Sequence, residues 1–112
     1  MTMPTLTVLA ADRQHGKTTA LLDVALANAR RGLDVAFWSP RAVQSAYAFR
    51  RAVELVPVGD SPTICRANGR EAIRYAEGRV RFVWGFAGRH AGAAMTIRDD
   101  DGEATITREA GF

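Results

Sequence analysis

The sequence contains very little lysine, cysteine and proline. Its fifteen basic residues include one lysine, Lys17, and the rest are arginine. The single cysteine, Cys65, excludes an internal disulfide and has no Cys or His neighbours at zinc-ligand spacing, so we expect a small core residue in a reducing compartment. No apolar run approaches the ~18 residues that a membrane-spanning helix needs, and the N-terminus lacks a basic signal-peptide region. These absences predict a soluble cytoplasmic protein with no membrane partner.

Length and charge set further bounds. A chain of 112 residues, 47% of them hydrophobic, is expected to form one domain over residues 1–112. The formal net charge of +3 is compatible with contact to nucleic acid but does not require it. Any DNA binding predicted from this composition is weak and non-specific.

The surroundings of Lys17 predict a phosphate site. Residues 11–19 read Ala-Asp-Arg-Gln-His-Gly-Lys-Thr-Thr, between an apolar strand-like run at 5–10 and a helix candidate at 20–31. In a phosphate-binding loop, backbone N–H groups wrap the phosphates, the lysine reaches the terminal ones, and the following hydroxyl holds Mg²⁺. The full motif would place glycine where Ala11 stands. The alternative is that Lys17 and Thr18 merely open a surface helix.

The remaining pattern predicts an α/β fold. The first helix should end at Arg30-Arg31-Gly32, a buried strand follows at 35–38, and Ser39-Pro40 offers an N-cap for an amphipathic helix at 40–55. Residues 57–62 form a loop. Alternating apolar residues around Glu77-Gly78 predict a β-hairpin, and a second hairpin should turn through 99–102.

Three stretches resemble the N-terminal part of the ATPase domain of a tailed-phage terminase large subunit. Residues 13–19 resemble the deviant phosphate loop of that family, R-Q-x-G-K-T-T. Residues 35–46 are similar to its second strand and following helix, and residues 67–82 resemble the hairpin with an N-G turn that precedes the Walker B strand. Together they cover most of residues 5 to 92 in the family's order.

The resemblance implies a small P-loop NTPase-like parallel sheet with flanking helices and an antiparallel β-hairpin extension, in a single truncated terminase-like domain. It implies that ATP and Mg²⁺ are the cofactors, that Thr18 holds the metal, and that Arg13 acts in catalysis by reaching the terminal phosphate. The alternative for Arg13 is an ion pair with Asp12. A phage-encoded chain would act in the bacterial host cytoplasm. The implied nucleotide-binding residues are Arg13, Gln14, His15, Gly16, Lys17, Thr18 and Thr19.

The Walker B strand is the main departure from the family pattern. Residues 93–100 are the nearest candidate and would make Asp99 and Asp100 metal ligands, but Thr96 and Arg98 interrupt the apolar run and Asp100 replaces glutamate. A hairpin tip at Asp-Asp-Asp-Gly is the favoured interpretation. We therefore expect ATP binding with weak or no hydrolysis by the chain alone. The family's adenine-recognition segment, coupling motif and nuclease domain do not occur in these residues.

Two other functions stay open at this point. One is a non-enzymatic protein-interaction module derived from a terminase ATPase domain, with a protein partner or a ring-type homo-oligomer. The other is a helicase-like or RecA-like ATPase fragment. Four arginines could also form a basic stripe near Tyr75 or Trp84, as in nucleic-acid binders, although Glu71 and Glu77 favour a solvated face. These arginines are Arg70, Arg74, Arg79 and Arg81.

Overall fold

A computed structural model describes residues 5–9, 14–85, 92–100 and 103–108. This part of the chain forms two helices and seven strands, which confirms the α/β class. No helix within it is both long and apolar enough to cross a bilayer. The elements in chain order are β1 (Thr5–Leu9), α1 (Gln14–Arg30), β2 (Asp34–Ser39), α2 (Ala42–Leu55), β3 (Thr63–Cys65), β4 (Ala72–Arg74), β5 (Arg79–Trp84), β6 (Met95–Asp100) and β7 (Glu103–Arg108).

The strands form one mixed sheet in the order β1-β7-β6-β2-β5-β4-β3. Only β5, β2 and β6 pair with their neighbours in parallel, so the parallel sheet expected from the sequence is limited to three central strands. The other four pairings are antiparallel. Strand β1 runs in the same direction as β2, as a βαβ unit requires, but β7 and β6 lie between them.

Both predicted hairpins are present. Strands β4 and β5 pair around Glu77-Gly78, and β6 pairs with β7 up to Asp100 opposite Glu103. The edge strand β3 was not assigned from the residue pattern. The Asn68-Gly69 turn, which the terminase resemblance implies for a hairpin, joins β3 to β4, and Gly69 adopts φ 83° there. Cys65 lies in this edge strand and is half-buried, so its expected place in the core is wrong.

Both helices pack on the same face of the sheet. Because side chains alternate along a strand, the sheet has a helix face and an open face. The helix face carries the core residues Val35, Phe37, Val80, Phe82, Met95 and Ile97, which pack against apolar residues of both helices. The open face carries Asp34, Ala36, Trp38, Arg79, Arg81, Thr96 and Arg98, and no described helix covers it.

Helix α1 ends as predicted but begins six residues early. Gly32 adopts φ 106°, and the Leu33 N–H donates to the Asn28 carbonyl at 3.1 Å, which closes the C-terminus in a left-handed glycine cap. At the other end the helix begins at Gln14 instead of near Ala20. Lys17 and Thr18 are buried there, because their side chains contact β6. Local sequence does not encode such a tertiary contact.

Helix α2 begins at Ala42, so the predicted capping role of Ser39 is wrong. Ser39 continues β2, where it pairs with Trp84 and is buried. Arg41 occupies the N-cap position instead, and its backbone N–H donates to the Gln44 side-chain oxygen at 3.2 Å. The carboxamide of Gln44 thereby satisfies the backbone that Ser39 was expected to cap.

The C-terminal end of α1 is fixed against the β4–β5 hairpin. Asp60 accepts hydrogen bonds from Arg30 Nε at 2.9 Å and from the Tyr75 hydroxyl at 3.0 Å. Gly78 approaches the helix so closely that a β-carbon there would lie 2.0 Å from the Ala29 carbonyl oxygen. Only glycine permits this approach, which sets the position of α1 over the sheet.

Candidate functional site

The Gly-Lys-Thr segment and the Asp-Asp segment meet at one edge of the sheet. The Thr18 hydroxyl donates to Asp99 Oδ2 at 2.8 Å, and Lys17 Nζ lies 2.9 Å from Asp99 Oδ1. Lys17 also donates to the backbone carbonyl of Asp100. Strand β6 ends here at its carboxyl terminus, opposite the beginning of α1. Ligands of open α/β sheets bind at this edge, outside the carboxyl ends of the parallel strands.

The ion pair of Lys17 with Asp99 is largely removed from water. The Lys17 side chain is 2% exposed and that of Asp99 is 12% exposed. Burial makes each charge dependent on its partner, since an unpaired ammonium or carboxylate would lose its hydration without compensation. Asp99 and the Asp100 carbonyl use two of the three N–H donors of the ammonium. The pair therefore holds the lysine at the sheet edge in a defined position.

Strand alternation explains how Asp99 reaches α1. Met95, Ile97 and Asp99 lie on the helix face, while Thr96 and Arg98 lie on the open face. The two polar residues that interrupt the Walker B-like run therefore fall where no described helix covers the sheet. A strand covered on one side needs apolar residues only at alternate positions. The pattern is compatible with a strand that delivers a carboxylate to Thr18.

The pairing of β6 with β7 confirms the predicted hairpin; Asp99 and Asp100 lie in β6, and residues 101–102 lie outside the described residues. The hairpin does not exclude contact with Lys17. Asp100 pairs with Glu103 at the end of the β6–β7 hairpin, while Asp99 contacts Thr18. Asp100 reaches Lys17 through its backbone carbonyl. The sequence could not predict this contact, because every residue has a backbone carbonyl and the residue type does not show which one accepts a hydrogen bond.

The neighbouring strand ends are held together on the open face. Trp38 donates from Nε1 to the Gly85 carbonyl at 2.8 Å, linking the ends of β2 and β5. The Arg98 guanidinium carbon lies 4.0 Å from the centroid of the Trp38 ring, in cation–π geometry. These contacts fix the three parallel strands where their carboxyl ends meet α1.

Of the other predicted nucleotide-binding residues, four lie in the first turns of α1 and one lies outside the described residues. Gly16 is exposed and Thr19 is half-buried in the first turns of α1, and Gln14 and His15 begin that helix. Arg13 and Asp12 lie outside the described residues. The first turn of α1 contains no acidic residue, so no carboxylate of that turn neutralises the helix dipole.

The oxygen groups at this edge fit Mg²⁺ only together with a phosphate. Within the described ranges, no three His, Cys, Asp or Glu side chains are grouped to hold a metal ion. Mg²⁺ bound with nucleotides commonly takes one or two protein oxygens, with phosphates and water completing its octahedron. Thr18 and Asp99 supply a hydroxyl and a carboxylate 2.8 Å apart, a donor set of that kind.

Comparison of the chain with protein-family models, curated protein sequences and solved structures gives no match. The terminase resemblance therefore rests on the sequence motifs alone, and the function has to be argued from the site.

Proposed function

We propose that the chain binds a nucleoside triphosphate, with ATP as the expected ligand, together with Mg²⁺ at the beginning of α1. The observation that carries this proposal is the shared carboxylate: Asp99 contacts both Lys17 and Thr18 of the Gly-Lys-Thr segment. A phosphate-loop site needs a lysine, a hydroxyl and a strand-borne carboxylate at one place. In this proposal the fold is a terminase-like variant of the P-loop class.

Each residue has a defined role in the proposed complex. The Lys17 ammonium turns from Asp99 to the terminal phosphates, and the backbone N–H groups at the start of α1 donate to the phosphate oxygens. Thr18 and Asp99 would hold Mg²⁺, which neutralises phosphate charge when bound. Because Asp99 already binds Lys17 without ligand, the nucleotide must compete with a buried ion pair. We therefore expect a Kd between about 1 μM and 1 mM.

The proposal does not include efficient hydrolysis. Water attack on the γ-phosphate needs a carboxylate that orients the water, beside the metal ligands. Asp99 is already bound to Lys17 and Thr18, and Asp100 contacts Lys17 through its backbone. Arg13, which is proposed to reach the terminal phosphate, lies outside the described residues. We expect binding with turnover near background.

Calorimetric titration with Mg·ATP tests the proposal. Lys17→Ala should weaken binding by at least about tenfold, since it removes the charge-assisted contacts to phosphate. Arg50→Ala is the control, because it removes the same charge from an exposed position on α2. Folding of both variants is checked by circular dichroism. No heat at millimolar ATP, or equal affinity in the Lys17 variant, would make the pair purely structural and favour the interaction module.

A further inference from the structure

A cavity lies along β4, β5 and the turn before β4. Its volume is about 300 Å³, at the lower end of the range for small-ligand pockets. Four arginines line it: Arg70, Arg74, Arg79 and Arg81. The arginines of the basic stripe considered from the sequence thus border one concave space.

Strand register brings three of these arginines together on the open face of the sheet. Arg74 of β4 is directly opposite Arg79 of β5, and Arg81 lies two residues further along β5. The Lys17 site is separate from them, because it is built around Asp99 on the helix face. Like charges directly opposite each other destabilise an antiparallel pair. An anion bound between Arg74 and Arg79 would therefore stabilise this part of the sheet.

Alanines on both sides of Arg81 leave room for a ligand. Ala72 of β4 and Ala36 of β2 are both directly opposite Arg81, and both are buried. Ala72 also lines the cavity. Because a methyl group fills little of the space above a sheet, the guanidinium groups here border a hollow.

Asp34 fixes two of the guanidinium groups. It accepts from Arg79 Nε at 3.1 Å and from Arg81 Nε at 3.0 Å, with a second bond of 3.3 Å to each group. These bonds use Nε and Nη2, so Nη1 of each group has no acceptor among the described residues. A guanidinium held in this way is preorganised for a second acceptor. The two side chains are 39% and 22% exposed, so water screens their charge only in part.

The charge around the cavity is positive. Four arginines and one acid, Glu71, line it, and Asp34 adds a second negative charge from β2, which leaves an excess of two positive charges. Within the described part of the chain, no carboxylate forms an ion pair with Arg70 or Arg74. A dianion would balance this excess.

The number of guanidinium groups favours phosphate over carboxylate. A carboxylate presents two oxygens, whereas a phosphate monoester presents three and carries about −1.5 to −2 charge at neutral pH. Arg74 on β4 and Arg79 and Arg81 on β5 offer one guanidinium fork each, and such forks match pairs of phosphate oxygens. The three forks can therefore be used fully by a phosphate and only in part by a carboxylate.

We propose that this cavity binds the phosphate group of a small phosphorylated molecule. Arg74, Arg79 and Arg81 bind the phosphate oxygens, Arg70 adds positive charge from the turn, and the space above Ala72 takes the ligand. The volume of the cavity leaves room beside the phosphate for a small organic part. This site does not depend on nucleotide binding at α1.

Two-dimensional amide NMR with ribose 5-phosphate tests the proposal and localises the ligand. The signals of residues 70–74 and 79–83 should shift and saturate with a Kd of about 1 mM or tighter. The signals of residues 14–18 report any binding at α1 separately. Arg74→Gln should weaken binding at the cavity about tenfold, because it removes one charge-assisted fork. Arg74 is exposed, so folding should be preserved, and Arg50→Gln on the exposed side of α2 is the matched control.

Ala72→Val tests the hollow without changing any charge. The two added methyl groups should weaken binding at least about threefold by occupying the space above the strand, and the amide spectrum shows whether the variant is folded. Inorganic phosphate separates the sources of the ligand. Weaker binding than that of ribose 5-phosphate identifies an organic phosphate as the ligand, and equal binding identifies the free ion.

Three results would overturn the proposal. The first is the absence of shifts at residues 70–74 and 79–83 at about 10 mM ribose 5-phosphate. The second is unchanged affinity in Arg74→Gln or in folded Ala72→Val. The third is equally tight binding of succinate, a dianion of similar charge that lacks a phosphate group.

Discussion

Thr18 and Asp99 lie 81 positions apart in the sequence and are joined by a 2.8 Å hydrogen bond. The other oxygen of the same carboxylate lies 2.9 Å from the Lys17 ammonium. One aspartate therefore holds both side chains of the Gly-Lys-Thr segment. A phosphate and Asp99 would compete for Lys17, whereas a metal ion would join Asp99 to the phosphate. In the proposed complex, this competition would make the affinity for nucleotide depend on Mg²⁺.

The first prediction concerns Asp99→Asn and nucleotide affinity. Without Mg²⁺, this variant should bind ATP about tenfold more tightly, because a negative charge that repels the phosphates and retains Lys17 is gone. Adding Mg²⁺ should raise the ATP affinity of the parent chain but not that of the variant, because the variant lacks the carboxylate ligand for the metal. Calorimetry with and without EDTA measures both effects. An equal Mg²⁺ effect in the two proteins would show that Asp99 is not a metal ligand.

The second prediction concerns the stability of the buried pair. Lys17→Met and Asp99→Asn should each lower the free energy of unfolding by about 2–4 kcal/mol, since each leaves a charge buried without its partner. The double variant should lose at least about 1 kcal/mol less than the sum of the single losses. Urea unfolding of the four proteins gives this difference. Additive losses would mean that the two charges do not stabilise each other.

The third prediction concerns hydrolysis. The parent chain should release phosphate from ATP at the same steady-state rate as the Lys17→Ala variant, which controls for contaminating ATPases. The loss of one general base or electrostatic group commonly lowers a rate by about 10²–10⁴. Turnover near one per second that disappears in Asp100→Asn would assign a catalytic carboxylate to Asp100. Turnover that disappears only in Lys17→Ala would place the catalytic carboxylate elsewhere.

The fourth prediction concerns the close approach of the β4–β5 hairpin to α1. Gly78→Ala should destabilise the fold by about 3 kcal/mol or more, because the new methyl group would lie 2.0 Å from the Ala29 carbonyl oxygen. Gly59→Ala is the matched control, since a β-carbon there meets nothing within 4 Å. Thermal unfolding of both variants provides the comparison. Equal stability of the two variants would contradict the packing described for Gly78.

The fifth prediction concerns alkaline pH. Burial, with a further contribution from the hydrogen bond to Asp60, raises the pKa of Tyr75 above its ordinary value of 10.0. The neutral phenol is thus favoured in the folded state, so its contribution is complete below pH 10 and is lost as pH rises through the raised pKa.

Tyr75→Phe should cost about 1 kcal/mol at pH 7, where it removes the hydrogen bond to Asp60. The difference from the parent chain should shrink above about pH 10, where the parent loses the same contribution. Urea unfolding at several pH values checks this convergence. If the stability difference between the parent chain and Tyr75→Phe grew as pH rises above about 10, it would contradict the raised pKa of Tyr75.

Features set by local chemistry were predictable from the sequence. The left-handed cap at Gly32, the amphipathic body of α2 and both hairpins follow from residue type and period. Features set by distant contacts were not. The contact of Thr18 with Asp99 joins residues 81 positions apart, and the sheet order depends on which strands meet after folding. Strand β3, with three residues, is too short to show a period.

The candidate site was half predictable for a related physical reason. The Gly-Lys-Thr segment carries its own motif, so Lys17 and Thr18 were identified at once. Asp99 was given less weight because Thr96 and Arg98 interrupt an apolar run that a strand covered on both faces would need. The helices cover one face only, and the alternation therefore carried the information. Which face the helices cover depends on the whole fold and cannot be determined from the sequence of β6 alone.

Lys17 carries the only side-chain amine of the chain, and 2% of that side chain is exposed to solvent. Reagents that acylate amines need access to the nitrogen, so the lysine is protected while it is buried against Asp99. Acylation at this position therefore measures how often the pair opens. The chain contains its own chemical reporter for the conformational step that must precede any phosphate binding at α1, and mass spectrometry can follow it without an added label.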